Sequence, residues 1–277
     1  MILNEFGGKV NMIGGRYMLN AERQQLILTL LKEAGTVKTQ ELVSRLDTSE
    51  STIRRDLDEL EEANMLKRVH GGATLLTDFR LEPSMTEKSA INIQSKKKIA
   101  SYCANLVQEN DCIYLDAGST TFEMIDLLKN KNISVVTNGL MHVEKLVSNS
   151  IEAYLLGGKM KARTKAIIGA TAVEQLGNYH FDKAFIGTNG IHPDFGYTTP
   201  DIEEAHVKQT AQKHAAKSYV LADASKLDVV LFAKMFTLDE ATLVIDRVPN
   251  GKLAHYQGKS KIVEVENDIY SDSKSLD

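Results

Sequence analysis

Apolar positions recur at two different periods along the chain, and the change of period divides it. From Asn20 to Lys32, Leu26, Ile27, Leu30 and Leu31 fall at helical spacing, with Asn20 as N-cap and Gly35 as the stop. A second short helix is predicted over about Thr39–Leu46, with Leu42, Val43 and Leu46 on one face. The polar break Asp47-Thr48-Ser49 precedes a third helix starting near Glu50, whose Ile53, Leu57 and Leu60 share one stripe. Met65–Val69 and His70–Ala73 read as two short strands around a glycine turn. Three small helices followed by a β-hairpin form the winged helix-turn-helix plan.

Thr77 to Ser95 is polar and irregular, contains Pro83 and reads as a linker. Beyond it Ile99, Cys103, Leu106 and Val107 line a helix, and short β-rich runs then recur: Cys112–Leu115, Ile133–Thr137, Ala153–Leu156, Ala184–Gly187, Tyr219–Ala222 and Leu243–Ile245. Helical segments separate them at Glu123–Leu128, Leu140–Val147, Thr171–Leu176 and Ile202–Ala215. Strands alternating with helices imply crossovers and a mostly parallel sheet. The fold class is therefore α/β, an N-terminal winged helix-turn-helix plus a C-terminal, mostly parallel α/β domain. The expected divisions are a loose extension over residues 1–17, a DNA-binding domain over 18–76, a linker over 77–95, a ligand-binding domain over 96–250 and a tail over 251–277. The extension holds four glycines without periodicity, and Met18, directly before the first helix, is a candidate translation start; Ser271–Asp277 is expected to be disordered.

Composition narrows the function classes. With 277 residues, 43% of them hydrophobic, the chain can form sizeable cores. No apolar run approaches the ~18 residues of a membrane helix, and no signal-peptide pattern opens the chain. Two cysteines suit a reducing cytoplasm and exclude a disulfide framework. Cys103 and Cys112 have no neighbouring ligand set, and the seven histidines show no i, i+4 pairing, so neither a metal site nor a cofactor is expected. The formal charge of −4 removes any global basic bias, and residues 18–76 carry eight basic against ten acidic residues. A nucleic-acid reading therefore rests on placement rather than net charge.

The placement is favourable. With Ile53, Leu57 and Leu60 inward, Ser51, Thr52, Arg54 and Arg55 occupy the exposed leading turns of the third helix, where arginines can meet guanine edges in a major groove. Its later half (Asp58, Glu59, Glu61, Glu62) is acidic and belongs away from phosphates. Lys38, Thr39 and Gln40 open the second helix, whose amides favour a phosphate, and Lys67, Arg68 and His70 on the hairpin are candidates to grip the DNA backbone. An isolated Arg-Arg pair on an amphipathic helix is ordinarily a solvated surface pair; the surrounding three helices and wing favour the reading role.

Glu41-Leu42, Ser51-Thr52-Ile53-Arg54-Arg55-Asp56-Leu57 and Arg68-Val69-His70-Gly71-Gly72-Ala73 together resemble the signature of DeoR-family transcriptional repressors. The resemblance runs from Met18 to about Asp246, with Met1–Tyr17 as a departure the family generally lacks. Arg80–Pro83, Cys112–Gly118, Tyr154–Gly158, Gly187–Gly190 and Thr198–Asp201 are most similar to the fructose-operon repressors of Gram-positive bacteria. The resemblance implies a ribose-5-phosphate isomerase-like second domain that holds a phosphorylated sugar, fructose 1-phosphate for the fructose-operon group.

The residues themselves supply a cradle. Asp116-Ala117-Gly118-Ser119-Thr120-Thr121 follows a predicted strand and opens a helix, so hydroxyls and amides face an anion, although a plain N-cap has the same look. It is not a Walker A loop. Thr137-Asn138-Gly139, Leu156-Gly157-Gly158-Lys159 and Asp223-Ala224-Ser225-Lys226 should meet it at the carboxyl edge of the sheet. Lys226 supplies charge to a phosphate and Asp116 an acceptor for sugar hydroxyls, whereas Lys183 and Lys208 read equally well as surface lysines. The expectation is a non-enzymatic repressor binding double-stranded operator DNA as a homo-oligomer, dimer or tetramer, with a phosphorylated sugar controlling affinity. Alternatives are another effector such as tagatose 6-phosphate, or a sugar-phosphate isomerase with a fused DNA-binding head. For the latter, Asp201, Glu203 and Glu204 are candidate bases, equally explained by a helix dipole.

Overall fold

A computed structural model describes residues 11–13, 16–62, 65–69, 71–74, 82–249 and 252–265. The chain forms two compact units, Met1–Asp78 and Phe79–Asp277.

In the first unit Asn11–Ile13 (β1) and Arg16–Met18 (β2) pair as a short antiparallel ladder, where the glycine-rich extension predicts none. The remainder of the extension lies outside the described residues. Helix Asn20–Ala34 (α1) stops at Gly35, whose φ of 71° only glycine adopts without strain and whose N–H donates to Leu31 O at 2.8 Å. Thr36–Lys38 (β3), Thr39–Leu46 (α2), Glu50–Glu62 (α3), Lys67–Val69 (β4) and Gly72–Thr74 (β5) complete the winged helix-turn-helix, with sheet order β3-β5-β4. A Cβ at Gly72 would stand 2.1 Å from Val37 O, so β3 and β5 pair only because this position is glycine. Leu42, Leu46, Ile53, Leu57 and Leu60 form the core with Ile27 and Leu31. Along α1 the buried stripe includes Leu28, while Leu26 faces outward. The periodicity also hides a charged member of the stripe: Asp56, on the buried face of α3, receives Arg23 Nε at 2.5 Å and Nη2 at 2.8 Å. Two fixed bonds between buried, opposite charges hold α3 against α1, and removing either partner would leave a costly unpaired charge.

The second unit opens with Met85–Ala90 (α4), capped by Ser84, whose Oγ accepts from Glu87 N while its own N–H donates to the Glu87 carboxylate at 2.6 Å. Ile93–Asn105 (α5), Cys112–Leu115 (β6), Ser119–Met124 (α6), Ser134–Thr137 (β7), Leu140–Ser148 (α7) and Glu152–Leu155 (β8) follow. A hairpin of Lys159–Lys161 (β9) and Ala166–Ile168 (β10) leads to Ala170–Leu176 (α8) and Phe181–Gly187 (β11). Then come Gly190–His192 (β12), Gly196–Thr199 (β13), Ile202–Lys213 (α9), Ala215–Ala222 (β14), Ala233–Lys234 (β15), Thr242–Ile245 (β16), Leu253–Tyr256 (α10) and Lys261–Glu264 (β17).

Seven strands make one parallel sheet in the order β17-β16-β14-β11-β6-β7-β8. Side chains alternate across it: Tyr114, Ile186 and Val220 pack on one face, Ile113, Leu115, Phe185 and Leu221 on the other. Parallel strands covered on both faces read as nearly continuous apolar runs, which is why the sequence exposes them. From β6 the chain proceeds outward through β7 and β8, then returns to β6's other side at β11. The carboxyl ends of β6 and β11 are thus the switch point at which an open α/β sheet leaves a crevice.

Two expected boundaries differ. Of the expected linker, residues 82–95 belong to the second unit, anchored by buried Glu82 and Met85; a single apolar anchor gives no periodicity to read. The expected tail includes β17, paired with β16, and fully buried Tyr256, whose hydroxyl bonds Asp228 Oδ1 at 2.8 Å and Ile191 O at 3.2 Å. Ser271–Asp277 lies outside the described residues.

Candidate functional site

On the first unit, α3 presents Ser51, Arg54 and Arg55 to solvent, with Thr52 half-buried. The arginine side chains are 64% and 67% exposed, and each pairs one turn away: Arg54 Nη2 with Glu50 at 2.6 Å, Arg55 Nε with Glu59 at 3.0 Å. Exposed i, i+4 pairs are worth only a few tenths of a kcal/mol, so both guanidiniums can be released to another acceptor. Ser49 Oγ accepts from Thr52 N and shares contacts with the Ser51 and Thr52 hydroxyls, fixing the start of the helix. Lys38, Gln40 and Lys67 are exposed. Thr39 is buried, its amide donates to Gly71 O at 2.8 Å, and its hydroxyl has no partner among the described residues. Arg68 turns back onto α3, where Nη1 donates to Asp58 at 2.5 Å and to Arg54 O at 3.1 Å, while its amide donates to Glu61 at 2.7 Å. The acidic half of α3 therefore docks the wing, a role that charge placement alone did not reveal. His70 lies outside the described residues.

On the second unit, a cavity of about 230 Å³ opens at the switch point. Asp116, Gly118, Ser119, Thr120, Asn138 and Lys226, six of the residues singled out in the sequence, line it. Gly118 is the N-cap of α6, so the first-turn amides of Ser119 and Thr120 have no intrahelical acceptor. Thr121 is buried behind this turn: its Oγ1 accepts from Gly118 N at 3.1 Å, reaches Asp116 O at 2.5 Å and meets His142 Nε2 at 3.1 Å. The Thr121 hydroxyl proton goes to a carbonyl, which assigns the imidazole proton to Nε2. Nδ1 of His142 is buried without a partner among the described residues, and burial pushes the ring down to about 4, so it is neutral. Asn138 acts as a strut, its Oδ1 accepting from Ala117 N and Tyr114 Oη at 2.9 Å each and its Nδ2 donating to Ile167 O.

Thr137, Gly157 and Gly158 do not line the cavity. Thr137 Oγ1 ties Leu115 O to Gly139 N, Gly157 N donates to Gln175, and at Gly158 (φ 144°) a Cβ would sit 2.7 Å from Ile168 O. These positions serve turns, for which the same small and hydroxylated residues are selected.

Charge in the cavity comes largely from residues that no local motif marks. Lys208 of α9 pairs with buried Asp116 Oδ2 and donates to Gly187 O at 3.1 Å, while Gly187 N donates to the same Asp116 oxygen at 3.0 Å. Asp116 thus positions a lysine rather than presenting that oxygen to a ligand. Lys183 instead pairs with Asp111 at 2.5 Å, at the opposite end of the sheet. Glu82, Lys88, Lys96, Glu204 and Thr164 also border the cavity. Burial alone would raise the Glu82 carboxyl, but the ammonium groups of Lys88 and Lys161 outweigh it and hold the group below the usual range. Lys226 is half-buried, has no ion pair among the described residues, and is pushed below its ordinary amine value by desolvation. Of the candidate bases, Asp201 caps α9 through Glu203 N and Glu204 N, Glu203 pairs with Lys159, and Glu204 is held by Lys161 and Thr164. Among the described residues no cluster of ligands suits a metal, and no helix is long and apolar enough to cross a membrane.

A winged helix-turn-helix followed by an α/β unit with a switch-point cavity bordered by charged side chains defines a DNA-binding regulator with a sensor domain. The DeoR-like helix-turn-helix domain matches residues 23–79 and the DeoR C terminal sensor domain residues 91–247, and the chain belongs to the DeoR family of transcriptional repressors. It is 50% identical over 246 residues to a protein described as the uncharacterized HTH-type transcriptional regulator FruR of Bacillus subtilis (strain 168), covering 88% of this chain and 98% of that one. It is 33% identical over 228 residues to the lactose phosphotransferase system repressor of Staphylococcus epidermidis, covering 81% and 90%. Among solved structures, ribose 5-phosphate isomerase A of Methanocaldococcus jannaschii aligns with a TM-score of 0.38 and 20% identity over 49% of this chain and 55% of that one.

Proposed function

We propose that this chain represses a fructose utilisation operon by binding operator DNA through α3 and the wing, and that fructose 1-phosphate in the cavity controls that binding. Arg54 and Arg55 read bases, with Ser51, Lys38, Gln40 and Lys67 on phosphates. A homo-oligomer places two heads on paired half-sites and raises their effective concentration.

One observation carries the effector reading: Lys226, which has no ion pair among the described residues, brings a cation into a cavity already bordered by Ser119 and Thr120 of the opening turn of α6. An ammonium, hydroxyls and first-turn amides suit a phosphoryl group. The choice of fructose rests on the resemblance to fructose-operon repressors. Thermal melts of the full chain with fructose 1-phosphate, tagatose 6-phosphate, ribose 5-phosphate and inorganic phosphate test it. A ligand that prefers the folded state raises the midpoint, by about 2.7 kcal/mol of stability at a hundredfold excess over Kd. The expected result is the largest rise with fructose 1-phosphate; a larger rise with tagatose 6-phosphate would transfer the assignment, and none would remove it.

A further inference from the structure

The residues expected to form a linker instead wall the cavity. Glu82 and Lys88 both line it. The buried carboxylate of Glu82 is divided between two amines: Lys88 Nζ lies 2.5 Å from Oε1 and Lys161 Nζ lies 2.6 Å from Oε2. Lys161 continues to α9, at 3.0 Å from Asp201 and 3.1 Å from Glu204. Arg163 grips the backbone of the same segment, its Nε donating to Glu82 O and its carbonyl accepting from Met85 N at 3.0 Å. Lys96 Nζ donates to Lys88 O.

The two lysines are not equivalent. Lys161 is shared by Glu82, Asp201 and Glu204, whereas Glu82 is the sole ion-pair partner of Lys88 among the described residues. A phosphoryl group carries nearly twice the charge of a carboxylate at neutral pH, so within the cavity it is a competitor of Glu82 for Lys88. Where it takes Lys88, Glu82 keeps one amine of its two. The segment Glu82–Ala90 follows within a few residues of the DNA-reading unit, which ends at Asp78.

We propose that the Glu82–Lys88 pair is a latch that the phosphoryl group of the effector opens, and that its opening loosens the segment leading to the DNA-reading unit. The latch rests on the phosphorylated-sugar reading of the cavity. It supplies what coupling requires, a contact made in one state and exchanged in the other.

Glu82→Gln tests it in the full chain, with fructose 1-phosphate as the probe and a DNA fragment selected for binding by the wild-type chain. In the wild type, saturating fructose 1-phosphate should change DNA affinity by about tenfold or more, a typical coupling. In Glu82→Gln, calorimetry should show fructose 1-phosphate binding at least as tightly, because no carboxylate competes for Lys88. Its effect on DNA affinity should meanwhile fall below about threefold. A variant that binds and responds like the wild type overturns the latch and leaves the effector reading intact. A wild type that binds no fructose 1-phosphate overturns both. A second measurement needs no variant: fructose 1-phosphate should speed hydrogen exchange at the Met85 amide by about tenfold as its bond to Arg163 O opens more often. Unchanged exchange in a chain that binds the sugar phosphate overturns the latch.

Discussion

Lys208 and Asp116, 92 positions apart, meet as a buried ion pair at the switch point, and both also bond the backbone of Gly187. The pair joins α9 to the ends of β6 and β11. Lys208→Met leaves the carboxylate buried without its cation and should destabilise the second unit by about 3–5 kcal/mol. Adding Asp116→Asn should recover part of that loss. Urea melts of the single and double variants check both, and a double variant as unstable as the single would show that the charge is not the cause.

On the first unit, exposure separates Arg54 and Arg55, which face solvent, from Arg68, which braces the wing. Arg54→Ala should weaken operator binding by about 1–3 kcal/mol and relax base preference. Equilibrium titration against matched and mismatched sites measures it; unchanged affinity would remove α3 as the reading element.

Lys67 and Arg68 are neighbours in different surroundings, Lys67 exposed and Arg68 turned back onto α3. Lys67→Ala should lower the slope of log affinity against log salt by about 1, as expected for a phosphate contact. Arg68→Ala, which undocks the wing from Asp58 and Arg54 O, should weaken binding with the slope nearly unchanged. A slope change for Arg68→Ala as large as that for Lys67→Ala would return Arg68 to the DNA backbone.

His142 predicts an acid limb of stability. Its folded value of about 4 lies below the ordinary 6.5, so the unfolded chain binds the extra proton between those values. Stability from this group is therefore complete above about pH 6.5, falls as pH drops toward 4, and changes no further below; the total is about 3 kcal/mol. His142→Gln should flatten that limb in denaturant midpoints measured between pH 4 and 7. A limb of the same steepness in the variant would place the titration elsewhere.

Lys226→Met should weaken fructose 1-phosphate binding by about tenfold or more, the value of a charge-assisted hydrogen bond, while sparing DNA binding by the free chain. Calorimetry and DNA titration read the two effects separately.

Much of the fold was legible because periodicity reports burial. Ile53, Leu57 and Leu60 mark the inner face of α3, and the runs at β6, β7, β11, β14 and β16 mark a sheet covered on both sides. β17 was not, since Ile262 and Val263 are only two apolar residues between charges. In the cavity, the Asp116–Thr120 turn was readable because strand, glycine and helix are contiguous. Thr121 and Thr137 share its residue types but serve the backbone, and no spacing rule separates a hydroxyl that braces a turn from one that faces a ligand. Lys208, Glu82 and Lys88 arrive from distant segments, as Arg23 does to Asp56 across 33 positions. Pairings of that kind are products of topology and leave no local trace.

Two anchors at the margins of the second unit decide how it should be dissected. A fragment begun at Ser95 would discard Glu82, Met85 and Lys88, stripping one wall from the cavity, and one ended at Arg247 would lose Tyr256 and the outermost strand. Boundaries drawn from family likeness or linker-like composition would thus cut through the unit's own closures, whereas a fragment that keeps Glu82 through Val265 retains both anchors.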